Sequence, residues 1–250
     1  VSSQRNSLEF RVENRYFKAT EITVPVATLL VDGEDLFSRS TRNGFVGFDP
    51  DELLGPDQPL LPVERARRVA VYRCSCGEPG CGVVAPVISG NDTEVRWNDF
   101  QDFTGWFDSP VSDDKPEDGR PLAIPEVIFA IDQYTDEVRR AATDRSWETP
   151  TRTTARFLKE ILEDESDALA DLGLKLDWVF PAHRREASVS LSLRDVDHRY
   201  VERPRGQLVM TLSAGPGNSK DRATEMLANL LSEVPEEWMN AFPWEAKQEG

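Results

Sequence analysis

The chain has 250 residues, 39% of them hydrophobic, which is enough for one large domain or two small ones with a real core. Its 45 acidic and 29 basic side chains leave a formal charge of −16, a field that repels phosphates and anionic lipid, so direct binding to nucleic acid or membrane is not expected. No apolar run reaches the roughly 20 residues of a membrane span, and the opening residues, Val1-Ser-Ser-Gln-Arg-Asn-Ser7, have no stretch of signal-peptide type. The cytoplasm is therefore the expected location, and it suits unpaired thiols.

Taken in order, Leu8, Phe10 and Val12 alternate with charged residues in the period-two pattern of a half-buried strand. Residues 21 to 31 predict a second strand, ending at Asp32-Gly33, a dipeptide that favours chain reversal. From Asn43 to Pro62 the text is rich in Gly, Pro and Asp and reads as an ordered loop, with one helical turn expected at Asp51 to Leu54.

Residues 74 to 82, Cys-Ser-Cys-Gly-Glu-Pro-Gly-Cys-Gly, hold all three cysteines of the chain. Val69 and Val71 before them and Val83, Val84, Val87 and Ile88 after them predict the two strands of a hairpin, with glycines allowing the reversal. The simplest role for Cys74, Cys76 and Cys81 is that of reduced thiols packing as small apolar groups at the turn. Zinc is the alternative, and it wants four ligands. Cys-x-Cys plus one further Cys supplies three, leaving His183, His198 or a carboxylate to complete the set. A Cys76–Cys81 disulfide is a third reading, confined to an oxidising compartment.

The Ser89-Gly90-Asn91-Asp92 turn leads into Val95 and Trp97, which continue an antiparallel meander. Residues 99 to 121 read as loop, with an exposed acidic tip at Asp113 and Asp114 and with Phe100, Phe103, Trp106 and Phe107 as packing anchors or a ligand platform. Val127 to Ile131 predict a short buried strand and Asp132 a cap for a helix near 132–145. Thr149-Pro150 opens a second helix, 150–172, whose acidic run Glu163-Asp164-Glu165 either faces water or interrupts it. Three alternating strands follow, around Leu174 to Phe180, Val189 to Leu193 and Leu208 to Leu212. A last helix comes next, capped by Asn218 or Ser219.

The fold class this predicts is α+β: an antiparallel β-rich amino-terminal part, 1–147, bearing the cysteine hairpin, and a carboxy-terminal β-β-β-α unit within 148–250. Phosphate loops, dinucleotide fingerprints, serine elbows and His-Glu-x-x-His are all missing from the sequence. Ala214-Gly-Pro-Gly217 before a helix reads as a strand-to-helix turn rather than an anion cradle. The carboxylates are too numerous for a pair to stand out, so a hydrolase built on Asp or Glu has no nominee.

The succession Val31-Asp32-Gly33, Asp49-Pro50 with Leu53-Leu54, the cysteine knuckle, Val95-x-Trp97-x-Asp99-Phe100, Tyr134 and Trp147-Glu148-x-Pro150 resembles a group of uncharacterised bacterial hypothetical proteins, over residues 29 to 162 at most. The resemblance implies a shared amino-terminal architecture and transfers no catalytic residue, since no activity attaches to the group.

Charge placement carries the functional expectation. Residues 99 to 150 hold 13 acidic and 5 basic side chains, while residues 183 to 205 hold 6 arginines against 4 acids. The pattern points to a non-enzymatic acidic binding protein, of the kind that inhibits a basic partner as an antitoxin or immunity protein does. Trp97, Trp106, Phe107, Asp113 and Asp114 are its expected contact residues. A zinc-binding regulatory protein centred on Cys74, Cys76 and Cys81 is the alternative.

Overall fold

The computed structural model describes residues 5–18, 21–36, 44–55, 58–76, 81–104, 107, 110–111, 119–182, 188–196, 207–213, 217–232, 237–238 and 244–247. The chain divides into two compact units, Val1–Trp147 and Glu148–Gly250.

The first unit opens with β1 (Leu8–Phe17), β2 (Ile22–Val31) and β3 (Glu34–Asp35), an antiparallel sheet in that order. Leu8 and Phe10 turn inward while Glu9 and Arg11 stay exposed, as the alternation requires. The β2–β3 reversal uses left-handed backbone at Asp32 (φ 53°) and Gly33 (φ 80°). The Asp32 carboxylate holds this turn against the chain start, accepting from the Ser7 amide at 2.8 Å and the Asn6 side-chain amide at 2.6 Å.

Next come β4 (Phe45–Gly47) and a single helical turn, α1 (Pro50–Leu53). Asp49 caps that turn by accepting from the Asp51 amide at 3.0 Å, and Pro50 sits where no amide is needed. At the junction of β4 with β2 the Ala27 amide donates to the Phe48 carbonyl at 2.8 Å. A β-carbon on Gly47 would fall 1.9 Å from the Ala27 carbonyl oxygen, so only glycine permits this approach.

The remaining strands of the unit are β5 (Arg67–Arg68), β6 (Tyr72–Cys74), β7 (Val83–Gly90), β8 (Glu94–Phe103), β9 (Arg120–Pro121) and β10 (Val127–Ala130). They form an antiparallel sheet of order β10-β8-β7-β6-β4, with β5 also on β7 and β9 also on β8. The helix α2 (Ile131–Thr143) follows and buries Tyr134, Val138 and Ala141. It begins one residue before the expected Asp132: Ala130 is the N-cap, with no side-chain hydrogen bond, and Asp132 lies in the first turn, where its charge suits the helix dipole.

The second unit contains α3 (Pro150–Asp164), α4 (Ser166–Asp171), β11 (Leu174–Pro181), β12 (Ser188–Asp195), β13 (Gln207–Ser213), α5 (Ser219–Ser232) and β14 (Trp244–Lys247). Its antiparallel sheet runs β11-β12-β13-β14. Thr149 caps α3 by accepting from the Arg152 amide at 3.2 Å. The expected single helix over 150–172 is broken at Glu165, so the acidic run marks the interruption between α3 and α4. The β-β-β-α order is present in β11, β12, β13 and α5. The closing strand β14, paired to β13 by Gln207↔Lys247 through Met210↔Trp244, was not legible in the local pattern. No helix among the described residues is long and apolar enough to cross a membrane.

Candidate metal centre

Strand pairing delivers the three cysteines to one place. Cys74 is the last residue of β6, opposite Phe45 of β4, and its amide donates to the Gly82 carbonyl at 2.8 Å, extending the β6–β7 ladder by one step. The Ser75 amide donates to the Gly44 carbonyl at 2.7 Å. The chain is thus held from both sides where it leaves the sheet, and Cys81, beside Gly82, returns to the point from which Cys74 and Cys76 depart.

The result is a triad of sulfurs. The Sγ atoms of Cys74, Cys76 and Cys81 lie within 4.8 Å of one another. Four thiolates on one zinc at about 2.3 Å stand close to 4 Å apart, so these three sulfurs need less than about 1 Å of contraction to share an ion. The Cys76 amide also donates to Cys74 Sγ at 3.4 Å, which holds that sulfur toward the turn. Among the described residues this is the sole group of three or more Cys, His, Asp or Glu so placed, and no fourth donor joins it. His183, His198 and residues 77–80 lie outside the described residues.

Burial sorts the three cysteines. Cys74 and Cys76 are half-buried and Cys81 is exposed, whereas a thiol acting as a small core group belongs out of water. Hydrogen bonding to Cys76 and then to Cys74 pushes the Cys81 thiol up to about 12, with burial and the neighbouring sulfurs' charge adding in the same direction. Neighbours, rather than solvent exclusion, hold that proton: three crowded sulfurs cannot all be thiolates unless a cation joins them.

The expected partner contacts fare differently. Trp97 has no exposed surface: its indole N–H donates to the Tyr134 hydroxyl at 3.1 Å, which donates onward to the Leu60 carbonyl at 2.8 Å. Phe129 stands edge-on to Trp97 at 5.5 Å, and burial pushes the Tyr134 phenol well above its ordinary value. Phe107 is buried against Phe103, with centroids 5.4 Å apart. Neither Trp97 nor Phe107 presents a ring to a partner, because the apolar area each carries is already covered by the unit's own core. Trp106, Asp113 and Asp114 lie outside the described residues.

The remaining sites of the sequence reading reduce to local structure. Asn218 accepts from the Lys220 and Asp221 amides at 3.1 and 3.0 Å and so occupies donors at the α5 start that an anion would need. Asp99, although desolvation opposes it, is held below its ordinary value by hydrogen bonds from Gln101 and Arg68. Asp144 is held down by hydrogen bonds from Ser146. A hydrolytic general acid needs the opposite displacement, so neither is a nominee.

Sequence reasoning missed one cavity of about 460 Å³ between the β2–β3 turn and the Pro121–Pro125 stretch, with Leu36, Leu122 and Ile124 among its walls. Three of its four carboxylates serve the fold: Asp32 holds Asn6 and Ser7, Asp35 accepts from Tyr72 at 2.9 Å, and Glu126 pairs with Arg96 at 3.3 Å. The apolar run between two prolines was the only sequence signal for it. Comparisons of the chain with protein-family models, with curated proteins and with solved structures found no match.

Proposed function

We propose that the protein is a zinc-dependent regulatory protein whose metal is held by the thiolates of Cys74, Cys76 and Cys81. The observation that supports this is the convergence of three Sγ atoms within 4.8 Å at the tip of a hairpin fixed on both flanks by backbone hydrogen bonds. Sulfur donors select zinc and other thiophilic ions over calcium or magnesium, which take oxygen. Binding displaces the thiol protons and ties the end of β6 to the start of β7, so occupancy sets the order of the knuckle and of whatever docks there.

The test is metal content and spectroscopy on the intact chain. Protein purified without added metal and then equilibrated with zinc is expected to hold about one equivalent. Cobalt substitution is expected to give a thiolate-to-metal charge-transfer band, and Cys76→Ser is expected to lose both signals while its far-ultraviolet circular dichroism stays that of wild type. Less than about a tenth of an equivalent of zinc together with no charge-transfer band defeats the proposal.

A further inference from the structure

The knuckle combines two properties that a purely structural metal site avoids: its sulfurs are close enough to react with one another, and one of them faces water. Cys81 is exposed while Cys74 and Cys76 are half-buried, and all three Sγ atoms lie within 4.8 Å. Cys74 is a strand residue, paired with Phe45 and bonded through its amide to Gly82, and its sulfur accepts from the Cys76 amide. Cys76 lies past the end of β6. A disulfide demands a narrow range of Cα separations and a dihedral near 90°, and the ladder bonds on both sides fix Cys74 at its place in β6, which leaves Cys76 as the partner of Cys81.

We propose, on the footing of the zinc reading above, that the centre is redox-regulated: hydrogen peroxide joins Cys81 to Cys76 and discharges the metal. The exposed Cys81 thiolate attacks one peroxide oxygen, the O–O bond breaks, and Cys81 becomes a sulfenic acid as the other oxygen leaves as water after taking a proton. The Cys76 thiolate then attacks the Cys81 sulfur, forming the S–S bond and expelling hydroxide, which leaves as a second water. Two thiolates, one peroxide and two protons taken from solvent give one disulfide and two waters, the two electrons passing from the sulfurs to the peroxide. Cys74 is left as the last of the three sulfur ligands, and one thiolate does not retain zinc. Thiol reductant reverses the exchange and restores the site.

The experiment treats the zinc-loaded full chain with hydrogen peroxide. Released zinc is followed with a chromogenic chelator, free thiols are counted, and the cross-link is located by peptide mass mapping. One zinc is expected to leave as two thiols disappear, with Cys76 joined to Cys81, Cys74 still alkylatable, and zinc rebinding after dithiothreitol. Cys81→Ser is expected to slow peroxide-driven release by about tenfold or more. The wild-type cross-link map needs no variant, so a variant that fails to load zinc does not decide the outcome. Loading is read before peroxide is added: a chain that takes up no zinc overturns the zinc reading and this one together. A chain that loads zinc and keeps it under peroxide, or loses it through sulfinic acid or a Cys74 cross-link, overturns the redox switch alone.

Discussion

The aromatic cluster around Trp97 and the knuckle around Cys76 belong to the same seven-stranded sheet, yet they ended in opposite environments. Trp97 lies within β8, between β10 and β7, and rests edge-on to Phe129 and to Tyr134 of α2. The cysteines lie where β6 and β7 leave the sheet, half-buried to exposed. Both residue types can bind a partner or fill a core. Position chose between the roles: a side chain inside the sheet under a helix is claimed by packing, while one at a hairpin tip keeps its chemistry available.

The largest effect expected from this contrast is on stability. Trp97→Ala empties the centre of the cluster and removes the donor to Tyr134, and it is expected to cost about 3–5 kcal/mol, read as a fall in the urea midpoint. A cost below about 1 kcal/mol would place the weight of the core elsewhere.

The next effect belongs to the knuckle and to pH. Cys81 keeps its proton up to about 12 in the metal-free protein, so zinc must displace it at any neutral pH. Zinc affinity is expected to rise with pH, about tenfold per unit for each proton released, in competition titrations between pH 6.5 and 8.5. The sign follows from the raised value: the metal-free state is the one that gains from protonation, so acid favours release. An affinity that is flat across the window would remove the thiols from the ligand set.

The smallest pair sharpens the comparison directly. Tyr134→Phe leaves the Trp97 indole N–H and the Leu60 carbonyl without their hydroxyl partner in the core and is expected to cost about 1–3 kcal/mol. Cys76→Ser in the presence of chelator, at a half-buried turn, is expected to stay within about 0.5 kcal/mol of wild type. Equal costs for the two would mean that the knuckle is packed as firmly as the core, against its observed exposure.

The sequence by itself determined whatever depends on neighbours along the chain. The alternation in Leu8 to Val12, the Asp32-Gly33 reversal, the Thr149-Pro150 helix start and the Asn218 cap each rest on interactions spanning a few residues, and all appear in the structure. The failures share the opposite cause. Asp132 was a good cap by type, but α2 starts where β10 ends and the sheet fixes that point. Trp97 carries the right chemistry for a contact surface, and nothing local records that Tyr134, 37 residues on, covers it. The cysteine spacing looked like half a metal site because spacing describes the chain, whereas ligation depends on distances between sulfurs. Only the pairing of β4, β6 and β7, which brings Gly44 to Ser75 and Gly82 to Cys74, decided that the three sulfurs meet.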